Sequence, residues 1–90
     1  MNIAAHILVH GVVQGVGYRY FIAMKAEECG LYGYVKNLID EDVEIVVEGD
    51  RSLIEELIKA AKVGPRLARV ADLKVQWQQP EQRYSKFFIC

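Results

Sequence analysis

The run Gly11-Val12-Val13-Gln14-Gly15-Val16-Gly17-Tyr18-Arg19 gathers the residue types that can receive an anion. A β-branched apolar stretch leads into it and a helical repeat leaves it, so its glycines fall in a strand-to-helix turn. The first turn of a helix leaves several backbone N–H groups unpaired, and the helix dipole adds partial positive charge, so a phosphate can be held there without a metal ion. Gly15 and Gly17 let the backbone curl around the anion, and Arg19 adds a planar fork that matches two phosphate oxygens. On local chemistry alone, a tight connection with Arg19 in solvent explains the same residues equally well. Nucleotide-binding loops fit poorly, because no Lys-Ser or Lys-Thr follows the glycines and the third glycine of a dinucleotide fingerprint is Tyr20. Asn37 is the second polar residue out of pattern, on an otherwise apolar strand face with Gly33, Val35 and Ile39. Its carboxamide needs a partner, which is either a positioned water or the turn that follows.

The remaining chemical groups suggest less. His6 and His10 lie four residues apart on an extended strand, about 13 Å, too far to close on one metal ion, so they are expected on the solvent side of a sheet. Cys29 falls on an apolar helix stripe and reads as a small core residue, while Cys90 has no visible role. Aromatic residues are plentiful, but the central strands lack the Lys and Arg that a nucleic-acid platform needs.

The elements that must position the loop follow from periodicity. Residues 3–13 read as a first strand, and Tyr18, Phe21, Ile22, Ala26 and Cys29 recur at helical spacing up to Gly30, a left-handed C-terminal cap. Residues 32–39 and 43–48 form a hairpin around Asp40-Glu41-Asp42, with Val43, Ile45 and Val47 on its buried face. Leu53, Ile54, Leu57, Ile58 and Ala61 give a second helix, started by Asp50 as N-cap or by Ser52 with Glu55 as a capping box, and ended by Gly64-Pro65. Residues 69–78 alternate as a fourth strand with one wet face, and residues 86–90 add a fifth at an edge. The order strand, helix, strand, strand, helix, strand is the split βαβ, ferredoxin-like arrangement of the α+β class. It implies an antiparallel four- to five-stranded sheet with two helices on one face.

Composition sets the outer bounds. Ninety residues allow one domain, residues 1–90. Eleven basic against twelve acidic residues argue against a nucleic-acid wrapper, and no apolar run is long enough to span a membrane. Two cysteines with no metal-type or paired spacing fit a reduced, cytoplasmic chain, expected as a monomer.

The same residues carry a family resemblance. Residues 11–19 resemble the acylphosphatase pattern G-x-V-Q-G-V-x-[FY]-R, and Gly33-Tyr34-Val35-Lys36-Asn37 resembles that family's G-[WY]-V-x-N. Val43-Glu44 with Glu48-Gly49, then Gly64-Pro65 and Ala68-Arg69-Val70, extend the similarity over nearly the whole chain. The resemblance implies a ferredoxin-like fold that hydrolyses small acyl phosphates to a carboxylate and inorganic phosphate, the latter also a competitor, without metal or organic cofactor. Arg19 would bind the phosphate with the backbone amides of Gly15, Val16, Gly17, Tyr18 and Arg19, and Asn37 would orient the attacking water. The hairpin departs from the family, with Asn37-Leu38-Ile39-Asp40-Glu41 in place of N-x-P-D-G, which puts its turn geometry in question. Arg66-Leu67 likewise stands where a second proline is common. Two other readings share the motif: a non-catalytic module that senses a phosphorylated molecule, and the acylphosphatase-like domain of a larger carbamoyl-transfer protein.

Overall fold

A computed structural model describes residues 2–90. The elements run β1 (Asn2–Val12), α1 (Tyr18–Glu28), β2 (Tyr32–Asn37), β3 (Val43–Asp50), α2 (Arg51–Val63), β4 (Arg69–Gln78) and β5 (Phe87–Ile89). They form one five-stranded sheet in the order β4-β1-β3-β2-β5. β1 pairs antiparallel with both β3 and β4, and β2 pairs antiparallel with β3. Ala5, Ile7 and Val9 of β1 and Val43, Ile45 and Val47 of β3 share one face and are buried. Both helices cover that face, α1 against β2 and β5, α2 against β1, β3 and β4. Ile22 and Ala26 of α1 and Ile54, Leu57 and Ala61 of α2 complete the core. Each such aliphatic side chain larger than alanine contributes about 1.5–3 kcal/mol when fully removed from water.

The ferredoxin-like α+β arrangement read from the sequence is therefore present, with one correction. The sheet is mixed, because β5 runs parallel to its neighbour β2. β4 ends with Gln78 in the same row as Ala4, Glu48 and Tyr32, at the end of the sheet where β2 begins. The chain then crosses the face opposite the helices, where the buried Glu48 carboxylate accepts the backbone N–H groups of Glu81 (2.7 Å) and Gln82 (3.0 Å). Tyr84 packs edge-on against Tyr34 in the same crossing. A strand entered from that end must point the same way as β2.

Smaller differences have local causes. β2 stops at Asn37, two residues before the expected end, because Leu38 N–H donates to Asp42 O and closes the turn. Ile39 consequently leaves the apolar face and stands fully exposed. α2 starts at Arg51 because Asp50 is the cap that forms, accepting from Ser52 N–H at 2.9 Å, while Glu55 pairs with Arg51 rather than closing a capping box. β1 lies one residue earlier than expected, and β5 is shorter by one residue at each end.

Gly33 sets the closest backbone approach in the central sheet. Its φ is 138°, and a Cβ built there would lie 1.9 Å from the carbonyl oxygen of Val46 on β3. Gly33→Ala is expected to lower the unfolding free energy by about 3 kcal/mol, measured by urea titration.

Candidate active site

The strand-to-helix turn starts where β1 gives out at Val12. Val13 turns into the core, and Gly15 and Gly17 take left-handed conformations, with φ of 75° and 80°. A Cβ on either glycine would meet nothing within 4 Å, so backbone conformation rather than lack of room calls for glycine here. Gly17 is the N-cap of α1, yet no side chain caps the helix and its first turn holds no acidic residue. The helix therefore begins with its donor end open, which is the arrangement that receives an anion.

A hollow of about 200 Å³ lies at this helix end, lined by Gly15, Gly17, Tyr18, Arg19, Tyr20, Asn37 and Ile89. Every residue expected at the site except Val16 lines it. The Val16 side chain packs against the core instead. Tyr18 turns its ring inward as well, and its hydroxyl donates to Ala61 O of α2 at 2.7 Å, with burial pushing the phenol pKa up. What Tyr18 offers an anion is its backbone. Arg19 is half-buried, and its Nη1 donates to Cys90 O at 2.6 Å. Cys90 N–H is itself bonded to Val35 O of β2, so the strand that carries Asn37 also fixes the partner of Arg19. Asn37 also lines the hollow, and its Oδ1 is a buried acceptor with no hydrogen-bond partner. Such an atom costs about 1–3 kcal/mol relative to one that is paired.

Comparison with known proteins decides what this arrangement belongs to. The family model described as Acylphosphatase matches residues 5–89. The chain belongs to the acylphosphatase family. An acylphosphatase of Thermococcus kodakarensis is 46% identical over 89% of this chain and 88% of its own length. That of Thermus thermophilus is 54% identical over 78% of this chain and 80% of its own. The crystal structure of acylphosphatase from Bacillus subtilis superposes with a TM-score of 0.94 at 36% identity, covering 98% of both chains.

The acylphosphatase loop depends on residues that sequence reasoning did not single out. Gln14 Nε2 donates to Leu38 O (2.9 Å) and Asp42 O (3.0 Å), tying the strand-to-helix loop to the turn after Asn37. The signal was present, since Gln14 is a letter of the family pattern, but a glutamine in a loop has no obligatory partner that sequence can name. The turn itself, lacking Pro and Gly, is closed by Glu41 in a left-handed conformation, φ 75°, and by Asp40 Oδ1 accepting from Asp42 N–H. His10 Nδ1 lies 2.7 Å from Asp42 Oδ1, and His6 Nε2 lies 2.8 Å from Glu44 Oε2, while the other oxygen of that carboxylate, Oε1, accepts from the Tyr34 hydroxyl. Both histidines thus face the open side of the sheet and pair with separate carboxylates. Among the described residues, no group of three His, Cys, Asp or Glu side chains is placed to share a metal ion, and no helix is long and apolar enough to cross a membrane.

Two outcomes are expected from these supports. Tyr18→Phe leaves Ala61 O without its buried donor and should cost about 1–2 kcal/mol in urea unfolding. The hydrogen bond to Asp42, then its charge, raises the pKa of His10 above its ordinary 6.5. The pair's contribution is complete below that ordinary value and is lost as pH climbs through the raised one. The melting-temperature gap between the wild type and His10→Ala should therefore narrow as the pH rises above 6.5.

Proposed function

We propose that this chain hydrolyses acyl phosphates by holding the phosphoryl group on the Gly15–Arg19 loop and placing the attacking water with Asn37. The observation that carries the proposal is that Asn37, whose buried Oδ1 has no hydrogen-bond partner, lines the hollow at the open end of α1 together with Arg19. The Asn37 carboxamide at that wall can hydrogen-bond a water and leave the water's lone pair to face a phosphorus bound at the helix end. The backbone N–H groups of Gly15, Val16, Gly17, Tyr18 and Arg19, with the Arg19 guanidinium, supply donors to the non-bridging oxygens, whose charge they stabilise as the phosphoryl group transfers.

The chemistry needs little else from the protein. The water oxygen bonds to phosphorus, and the bond from phosphorus to the acyl oxygen breaks with its electron pair leaving on a carboxylate, already a stable anion. Among the described residues, no Asp, Glu, His or Cys lines the hollow. A non-bridging phosphoryl oxygen is the acceptor at hand for the water's proton, giving a carboxylate and dihydrogen phosphate. Positioning and charge stabilisation then carry the rate. No observation favours the reading in which the loop only senses an anion. The free thiols of Cys29 and Cys90 are in keeping with work in a reducing cytoplasm, and a monomer is the form we expect.

Arg19→Ala should lower kcat/KM for acetyl phosphate by about 10³-fold, and Arg19→Lys should recover little because an ammonium lacks the planar fork. Asn37→Ala should lower kcat while inorganic phosphate still competes for the site. Near-normal turnover in either alanine variant would remove that residue from the mechanism.

A further inference from the structure

Asn37 ends β2 and pairs with Val43, the first residue of β3, and residues 38–42 join the two without a proline or a glycine. Such a turn lacks the residues that preset φ or free it, so groups outside it must help to hold it. Those groups meet at Asp42. Its carbonyl oxygen accepts from Leu38 N–H (2.9 Å) and from Gln14 Nε2 (3.0 Å), and its Oδ1 lies 2.7 Å from Nδ1 of His10. The ladder between β1 and β3 ends one residue earlier, at Val9 and Val43, so side chains join the two segments where backbone pairing stops. Among the described residues, the charged groups that face His10 are Asp42 and Asp40 of the turn and Asp72 of β4, its partner in register. Glu44, the next acid along β3, is taken by His6. All three carboxylates favour a charged imidazole, the hydrogen bond to Asp42 and then its charge contributing most.

We propose that His10, acting through Asp42, is a positioning residue for Asn37: the charged imidazole clamps the 38–42 turn and with it the carboxamide that places the water, and turnover falls when that charge is lost. The inference rests on the role given above to Asn37. A neutral imidazole can keep the hydrogen bond to Asp42, but a bond between two ionised groups is the stronger clamp. Because His10 is largely exposed, solvent screens the pair and the effect on rate is modest. It falls on kcat, since the phosphoryl group is held by the strand-to-helix loop and only the placement of the water changes. His6 offers an internal contrast on the same strand. Its partner Glu44 lies inside β3, which β1 and β2 hold on both sides, so that pair has no loose turn to fix.

Steady-state kinetics with acetyl phosphate from about pH 6 to about pH 9, at fixed ionic strength, test this on the wild type, His10→Gln, His10→Lys and His6→Gln. The kcat ratio of wild type to His10→Gln should be about three at the acid end and approach one as the imidazole loses its charge, with KM and inhibition by inorganic phosphate alike in both. His10→Lys stays charged over this range and should keep the higher kcat to the alkaline end. His6→Gln should follow the wild type throughout. A ratio that does not change with pH, a change in KM in place of kcat, a His10→Lys variant that falls with the wild type, or a pH dependence lost equally in His6→Gln would each overturn the assignment. Failure of the underlying reading shows differently, as wild-type turnover in Asn37→Ala, and it would remove the role of His10 with it.

Discussion

A helix whose first turn is left uncapped is the constraint on which the rest of this structure depends. α2 shows the ordinary solution, in which Asp50 accepts from Ser52 N–H and satisfies the helix start with the chain's own carboxylate. α1 begins at Gly17 with no capping side chain and no acidic residue in its first turn. A helix end left open has no capping bond to define its position, so the position must come from elsewhere. Tyr18 supplies one fixed point through Ala61 of α2, and Gln14 supplies another through the carbonyls of Leu38 and Asp42. The loop is thus held from behind by groups that do not compete for its amides.

Asn37 and Arg19 express the same economy. A buried acceptor without a partner is unfavourable in the folded protein, and the sheet tolerates it because Val35, Val43 and Ile45 around it are fully buried and hold the strand in register. Under the proposed mechanism, preorganised groups of this kind need not reorganise when charge develops in the reaction. Arg19 is steadied in the same way, since one donor of its guanidinium is held by Cys90 O, leaving others to face the hollow.

Site geometry also reaches through the sheet to its far face. The buried carboxylate of Glu48 collects two backbone amides from the crossing that follows β4. That crossing delivers β5 parallel to β2, which sets Ile89 in the wall of the hollow and Cys90 against Arg19. A residue on the face opposite the helices thereby shapes a site at the end of α1, without touching it.

Local order was largely legible in the sequence. The alternation of residues 69–78, the helical stripes of both helices, the Asp50 cap and the glycine-bearing turn ending at Arg19 are all short-range patterns, and each fell where expected within one or two residues. The strand-to-helix loop could be read for the same reason, since left-handed glycines and a helix start are properties of a few consecutive residues. Asn37 could be noticed as polar among apolar neighbours, but its lack of a partner could not. The direction of β5, the tie from Gln14, the hold of Cys90 on Arg19 and the departure of Ile39 from the sheet face belong to the tertiary structure. Each is settled by hydrogen bonds or chain closure, several of them between segments far apart in sequence. Residue types such as Gln, Glu and Asn carry no record of which distant backbone group they will meet. What periodicity encodes is which face of an element is buried. Which polar group meets which is decided only when those faces pack.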